Sequence, residues 1–278
     1  GQSRMYFCYT CKVPMTLESA WTVPRFQLPV DIDIVHHQNE KLSKSTAVHA
    51  PVLCPQQVRM LDFPHEKIPQ YDPQSTVLLF PDETATPISE MDLTHIKKAV
   101  FIDSTWKQTK SITSAPELQH LPHVKIQEYE TLFWRFQTNQ PKTCLATIEA
   151  IYFFCREYWQ QQQQQQHQLQ QQEQNQQLVQ VQKLESKSSS ESSPPAPVRP
   201  SSSSSSSSST LQPESKREDT CIAPLPRYPG HFDNLLFYFR LMYDKIQQTY
   251  QRQHKAFTTR HYSDYVAPST SDQSSVCS

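Results

Sequence analysis

Apolar positions fall in short runs separated by polar turns, and their spacing predicts strands alternating with helices. Residues 30–35, Val-Asp-Ile-Asp-Ile-Val, alternate apolar with acidic and predict a strand with one wet face. Ser45 then serves as N-cap of a short helix running to about Leu53, before Pro55. Residues 75–81 read as a buried strand closed by Pro81 and the acidic turn Asp82-Glu83. A short helix over 88–98 leads into 99–102, Ala-Val-Phe-Ile, an apolar run suited to a strand covered on both faces. Period alone leaves a buried helix turn open for that run. Helical pieces follow to about Leu121, then a strand-like alternation over 124–129. An amphipathic helix opens near Thr143 or Thr147 and continues through Tyr158, and a strongly apolar helix spans 231–250. Helices between successive strands argue for parallel pairing, hence an α/β fold.

The pattern collapses at Gln160 into Gln tracts, then Ser and Pro, including an unbroken serine run at 201–209. Such a segment buries too little apolar surface to offset chain entropy. It is assigned as a disordered insertion over 160–226, whose Gln part can prolong the preceding helix. The expected organisation is an N-terminal CxxC segment over 1–29, with Trp21 and Phe26 tacking it down, and a catalytic domain over 30–159. The insertion follows, then the domain's returning helix over 227–255 and a flexible tail over 256–278.

Composition narrows the chemistry. Only two glycines occur, Gly1 and Gly230, so neither a P-loop nor a Gly-rich dinucleotide turn can form. Nucleotide-phosphate chemistry is thereby disfavoured, while a phosphate-free adenosine ligand stays open. The net charge of −1 implies no particular partner, and nucleic-acid contact would need a local patch. Seven cysteines without a secretory or membrane-spanning run fit a reducing compartment. Cys54, Cys144, Cys155, Cys221 and Cys277 are scattered and read as unpaired thiols. Cys8-Tyr9-Thr10-Cys11 is a C-x₂-C, half of a four-ligand zinc site. Its second pair would lie upstream of Gly1, or the two are plain thiols.

Candidate chemistry gathers where the 99–102 strand ends in Asp103-Ser104-Thr105-Trp106-Lys107. Open α/β sheets place ligand groups at the carboxyl ends of strands. Asp103 can accept a proton, Ser104 and Thr105 can donate and accept, and Trp106 offers a stacking surface. Capping by Asp103 and Ser104 with Trp106 in the core is the alternative. His36, His37, Glu40, Lys44 and Ser45 could touch ligand but also read as a solvated turn and cap. Phe133-Trp134-Arg135-Phe136 mixes aromatics with a cation, suited to bases or to packing. Glu149 lies near a positive helix start, where a carboxylate is favourable without any function.

In this order the motifs resemble the DTW-domain family, specifically its eukaryotic tRNA-uridine aminocarboxypropyltransferases. They are Cys8-Tyr9-Thr10-Cys11, His37 to Glu40, Lys44-Ser45-Thr46-Ala47-Val48-His49-Ala50, Leu79-Phe80-Pro81, the D-x-T-W of Asp103 to Trp106, Thr147-Ile148-Glu149-Ala150 and Phe232-Asp233-Asn234-Leu235-Leu236-Phe237-Tyr238. The resemblance implies a SPOUT-like, mostly parallel sheet with a C-terminal trefoil knot. It implies S-adenosylmethionine as donor and transfer of its 3-amino-3-carboxypropyl group to N3 of a uridine in a tRNA D-loop. On that footing Asp103 is the candidate base, directly or through water, Thr105 orients Asp103 or the donor carboxylate, and Trp106 stacks on the base. Leu79, Phe80, Pro81, Ser104, Cys144, Leu145, Ala146, Thr147 and Glu149 would hold the donor. Lys44, Lys107, Trp134 and Arg135 would meet RNA, and Cys8 and Cys11 would ligate zinc.

Asp82 stands where family members often carry Gly, Gln38 where Pro is usual, and the Gln/Ser insertion is outside the family pattern. A SPOUT-type methyltransferase and a non-catalytic RNA-binding protein are the competing classes. No membrane contact is expected. An RNA substrate and the polar tract allow nucleus, cytoplasm or both.

Overall fold

The computed structural model describes residues 6–15, 23–134, 141–188 and 225–252. Strand β1 (Asp31–His37), helix α1 (His49–Leu53) and strand β2 (Val58–Phe63) come first. Then follow β3 (Thr76–Leu79), β4 (Thr86–Pro87), β5 (Lys98–Asp103), α2 (Trp106–Thr113), α3 (Pro116–Gln119) and β6 (His123–Lys125). Helices α4 (Thr147–Ser188) and α5 (Phe237–Arg252) complete the order. All six strands form one parallel sheet, ordered β2-β1-β5-β3-β6-β4. The chain passes from β1 out to β2 on one side and from β3 to the edge strand β4 on the other, then inserts β5 between β1 and β3 and β6 between β3 and β4. The carboxyl end of β5 thus lies at the reversal point where such sheets open a ligand crevice.

Side-chain alternation along each strand sorts the core into two layers. Ile32, Ile34, Ala99 and Phe101 face one way, packing with Ile148, Ile151 and Phe154 of α4 and with Leu235 and Tyr238. Val35, Val100, Leu78 and Leu61 face the other, against Ile112, Leu118 and Tyr71. Covering both faces removes the wet side expected for β1. Asp33 is 1 % exposed, and its carboxylate is held by Arg59, by the Tyr71 hydroxyl at 2.8 Å and by Lys98 at 3.5 Å.

Three other expectations change. Strand β2 was not foreseen, because Arg59 and Asp62 interrupt the apolar run of this edge strand. The helix over 88–98 is replaced by a 3₁₀ turn, Ile88–Glu90, and irregular chain up to the start of β5 at Lys98. Asp92 accepts from the Thr94 amide at 2.9 Å. The carbonyls of Leu93 and Ile96 accept from the Tyr158 hydroxyl, and that of Met91 from Gln161. Local turns and tertiary donors thus replace the helical ladder. Ser45 is not a helix cap, since α1 begins after Val48.

Among the described residues, those up to Gln162 and from Arg227 to Arg252 belong to one compact unit, and 163–188 with 225–226 to a second. Within the first, the Asp233–Leu236 turn is fastened to α4 by the Tyr152 hydroxyl, which donates to Asp233 at 3.0 Å. In the second, the Gln tract continues α4 as helix as far as Ser188. Gln is a good helix former, and no Gly or Pro interrupts the tract. Leu169, Leu178, Val179 and Val181 are exposed along it. Residues 189–224 and 253–278, with Trp21, lie outside the described residues.

Candidate active site

Alternation also aims the site. Asp103 shares the face of Ala99 and Phe101, so its carboxylate is delivered toward the start of α4. His36 is its neighbour in register across β1 and β5. Asp103 is 4 % exposed, and its carboxylate accepts three hydrogen bonds. His36 Nδ1 and Ser45 Oγ each donate to Oδ2 at 2.7 Å, and Thr147 Oγ1 donates to Oδ1 at 2.7 Å. Ser45 Oγ also accepts from the Ala47 amide at 3.0 Å, and Thr46 Oγ1 accepts from the Ile148 amide at 3.3 Å. These contacts join β1, the 38–48 loop, β5 and the α4 N-terminus around one anion, which the helix dipole also favours.

Burial of His36 disfavours its charge, but the hydrogen bond and charge of Asp103 outweigh it. The charge of Asp62 and a bond to the Glu40 backbone act in the same direction, so its pKa lies above the ordinary 6.5.

Beside this cluster lies a cavity of about 860 Å³. Of the expected residues, Leu79, Phe80, Pro81, Asp103, Ser104 and Thr105 line it. So do Cys144, Leu145, Ala146 and Thr147, with Lys44 and Lys107 at the polar side. The loop carrying Glu40, Lys44, Ser45 and Thr46, which also read as a turn and cap, forms one wall. Residues not anticipated include Lys125, Ile126, Gln127 and Glu128, and Phe133 of the aromatic stretch also lines it. Glu157 fixes the 126–129 wall by accepting from the Gln127 amide at 2.9 Å, and Tyr129 stacks on Phe153 with centroids 3.6 Å apart. Burial raises the Glu157 pKa, only partly offset by that amide and the Tyr129 hydroxyl. No motif flags this wall, because it is irregular backbone held from α4.

Other assignments move. Glu149 is fully buried and is not among the cavity-lining residues. Its carboxylate accepts from Thr131 Oγ1 at 2.6 Å, the Leu132 amide at 2.8 Å and the Ala146 amide at 2.7 Å. It ties the 131–132 segment to the start of α4, and its donor-binding role is withdrawn. Trp134, half-buried at the margin of the core, packs against Phe133 and Phe239, each centroid pair 5.0 Å apart. Thr105 is the N-cap of α2, its amide bonded to Gln108 Oε1 at 3.3 Å, so orienting Asp103 falls to His36, Ser45 and Thr147. Trp106 opens α2, and Arg135 lies outside the described residues. Cys8 and Cys11 share one turn, where the Cys11 amide approaches Cys8 Sγ at 3.4 Å. Among the described residues no group of three or more His, Cys, Asp or Glu gathers to hold a metal, so the zinc expectation gains no second half.

Comparison with known proteins agrees with this reading of the motifs. The model of the DTW domain matches residues 5–187, and the chain belongs to that family. It is 35 % identical over 202 residues to tRNA-uridine aminocarboxypropyltransferase 1 of Rattus norvegicus, covering 57 % of this chain and 66 % of that one. The Xenopus laevis protein of the same name is 34 % identical over 201 residues, covering 57 % of this chain and 68 % of that one. The chain thus spans about two thirds of the length of these relatives. Among solved structures, the SAM-dependent rRNA:acp-transferase Tsr3 from Vulcanisaeta distributa is similar at 16 % identity and a TM-score of 0.33, over 47 % of this chain and 64 % of that one.

Proposed function

We propose that this protein is a tRNA-modifying transferase. It moves the 3-amino-3-carboxypropyl group of S-adenosylmethionine to N3 of a uridine in the tRNA D-loop and releases methylthioadenosine. The observation that carries the reading is the junction of the family's D-x-T-W aspartate with a cavity large enough for a nucleoside ligand, in a chain whose relatives bear that activity in their names. The lining fits such a donor. Leu79, Phe80 and Pro81 offer an apolar wall to adenine, Ser104 and the 144–147 stretch supply small and polar contacts, and the ligand requires no phosphate cradle. Lys44, Lys107 and Lys125 supply positive charge for a carboxylate or for RNA phosphates.

Transfer requires the N3 proton to leave, N3 to bond the carbon next to sulfur, and the carbon–sulfur electron pair to pass to sulfur. Asp103 already accepts an imidazole N–H and two hydroxyls, which favour its anionic form and oppose proton uptake. It is therefore the anchor of the site, and the base role expected from the motif passes to Glu40. This half-buried carboxylate lines the same cavity. Lys107, in the first turn of α2, meets the phosphates flanking the target base. The family's SPOUT-like trefoil knot belongs to this proposal, as does residence in nucleus, cytoplasm or both. No helix among the described residues is long and apolar enough to cross a membrane.

The test is nucleoside mass spectrometry after incubating unmodified tRNA transcript with the protein and S-adenosylmethionine. Aminocarboxypropyluridine with methylthioadenosine is expected. A methylated nucleoside with S-adenosylhomocysteine would reassign the chain to the methyltransferases. RNA binding without product would leave a binding role.

A further inference from the structure

Asp82 stands where family members often carry Gly, and the transfer chemistry gives it no part. We propose that Asp82 and His123 are positioning residues: a side-chain clasp between the 80–85 connection and strand β6 that sets the Phe80 ring and so shapes the adenine edge of the cavity. The inference rests on the reading of that cavity as the donor pocket, and it names what holds the pocket's apolar wall.

The two oxygens of Asp82 serve different elements. Oδ1 accepts from the Thr84 amide at 3.0 Å and from the Thr84 hydroxyl at 2.8 Å, and the Asp82 carbonyl accepts from the Ala85 amide at 3.2 Å, which fixes the carboxylate within its own turn. Oδ2 accepts from His123 Nδ1 at 2.5 Å, across 41 residues of sequence, at the first position of β6. The bond needs a single imidazole N–H, which the ring carries whether neutral or charged. The same ring meets Phe80 edge-on, with centroids 5.9 Å apart and planes at 84°. Phe80 is held elsewhere by its amide, which donates to the Val124 carbonyl at 3.0 Å, and by the core layer of Leu78 and Val100, on which it packs. Phe80 and Pro81 line the cavity, whereas Asp82 and His123 are not among the lining residues. The pair therefore acts through the wall and not on the ligand. A glycine at 82 would offer the ring no acceptor, leaving His123 and the Phe80 edge it packs against to settle independently of the turn.

The experiment uses the full chain and titrates it with S-adenosylmethionine and with methylthioadenosine, which keeps the adenosine and lacks the aminocarboxypropyl arm. A partly exposed pair adds little to global stability, so Asp82→Ala and His123→Phe should both fold. Each is expected to weaken both ligands by about five- to tenfold, the scale of one displaced aromatic contact. Donor KM should rise by the same factor with kcat at saturating donor unchanged, because the reacting groups are untouched. The double variant should be no weaker than either single one, since either change alone opens the clasp. Asp82→Asn keeps an acceptor for Thr84 and an amide that an uncharged ring can accept from, and is expected to restore wild-type affinity. Wild-type affinity for methylthioadenosine in Asp82→Ala or His123→Phe overturns the proposal. So does strict additivity of the two, or an Asp82→Asn protein as weak as Asp82→Ala. A wild-type protein that binds both ligands and loses them in these variants, yet makes no aminocarboxypropyluridine, would overturn the transferase reading and leave this inference standing.

Discussion

Two buried carboxylates near the start of α4, Asp103 and Glu149, each accept from three donors that lie among the described residues, and they differ in who those donors are. Glu149 is served by two backbone amides and one hydroxyl, and its surroundings are closed. Asp103 is served only by side chains, drawn from β1, the 38–48 loop and α4, and it borders the cavity. Backbone donors fix a fold locally, as in a helix cap. Converging side-chain donors fix the relative placement of separate elements, which a binding site requires. Both residues sit in motifs that match the family, so motif membership alone does not separate closure from chemistry.

The sharpest way to break this contrast is Asp103→Ala. It leaves an imidazole N–H and two hydroxyls without their shared acceptor, so a loss of about 3–5 kcal/mol is expected in urea unfolding. Asp103→Asn keeps the shape and should fold, yet S-adenosylmethionine affinity should fall by at least tenfold. Wild-type affinity in that variant would deny Asp103 its anchoring role.

Glu149→Ala comes next. Two amides and a hydroxyl lose their acceptor in a closed space, expected to cost about 2–4 kcal/mol. Donor affinity of the folded protein should change by no more than about threefold. A Glu149→Ala protein of normal stability and lost affinity would erase the distinction between the two carboxylates.

Smaller effects are expected from Ser45→Ala and Thr147→Ala, each removing one hydroxyl from a charged acceptor at about 1.5 kcal/mol. Measured together they should be non-additive, since both serve the same carboxylate. Strict additivity would mean that the two donors act independently of it.

How much of this was legible follows from range. The parallel sheet and the strand ending in Asp103 were readable, because a short apolar run and its terminal polar residues are local signals. The partners of Asp103 lie 67, 58 and 44 residues away in sequence, beyond what spacing reports. The packing of Glu149 and Trp134 was out of reach for the same reason. Residue type matched a binding role, while the contacts that decide it come from Thr131 and Leu132 in one case and Phe239 in the other. The 88–98 segment failed differently, through carbonyls satisfied by Tyr158 and Gln161 of a distant helix.

The gentlest probe sharpens the comparison without altering the fold, because the cysteines sample both environments. Cys54 and Cys155 are buried in the closed layer behind the sheet. Burial pushes the Cys54 thiol up to about 12 and the Cys155 thiol well above its ordinary value, so little thiolate forms near neutrality. Cys144 is half-buried and lines the cavity. Iodoacetamide at pH 8, read by peptide mass spectrometry, should therefore label Cys144 and leave Cys54 and Cys155 until the protein unfolds. Saturating S-adenosylmethionine should slow Cys144 labelling several-fold while leaving Cys11, exposed on its turn, unaffected. Equal slowing at both would point to a general change in the protein. Unchanged labelling of Cys144 with donor bound would move the donor out of the cavity beside Asp103.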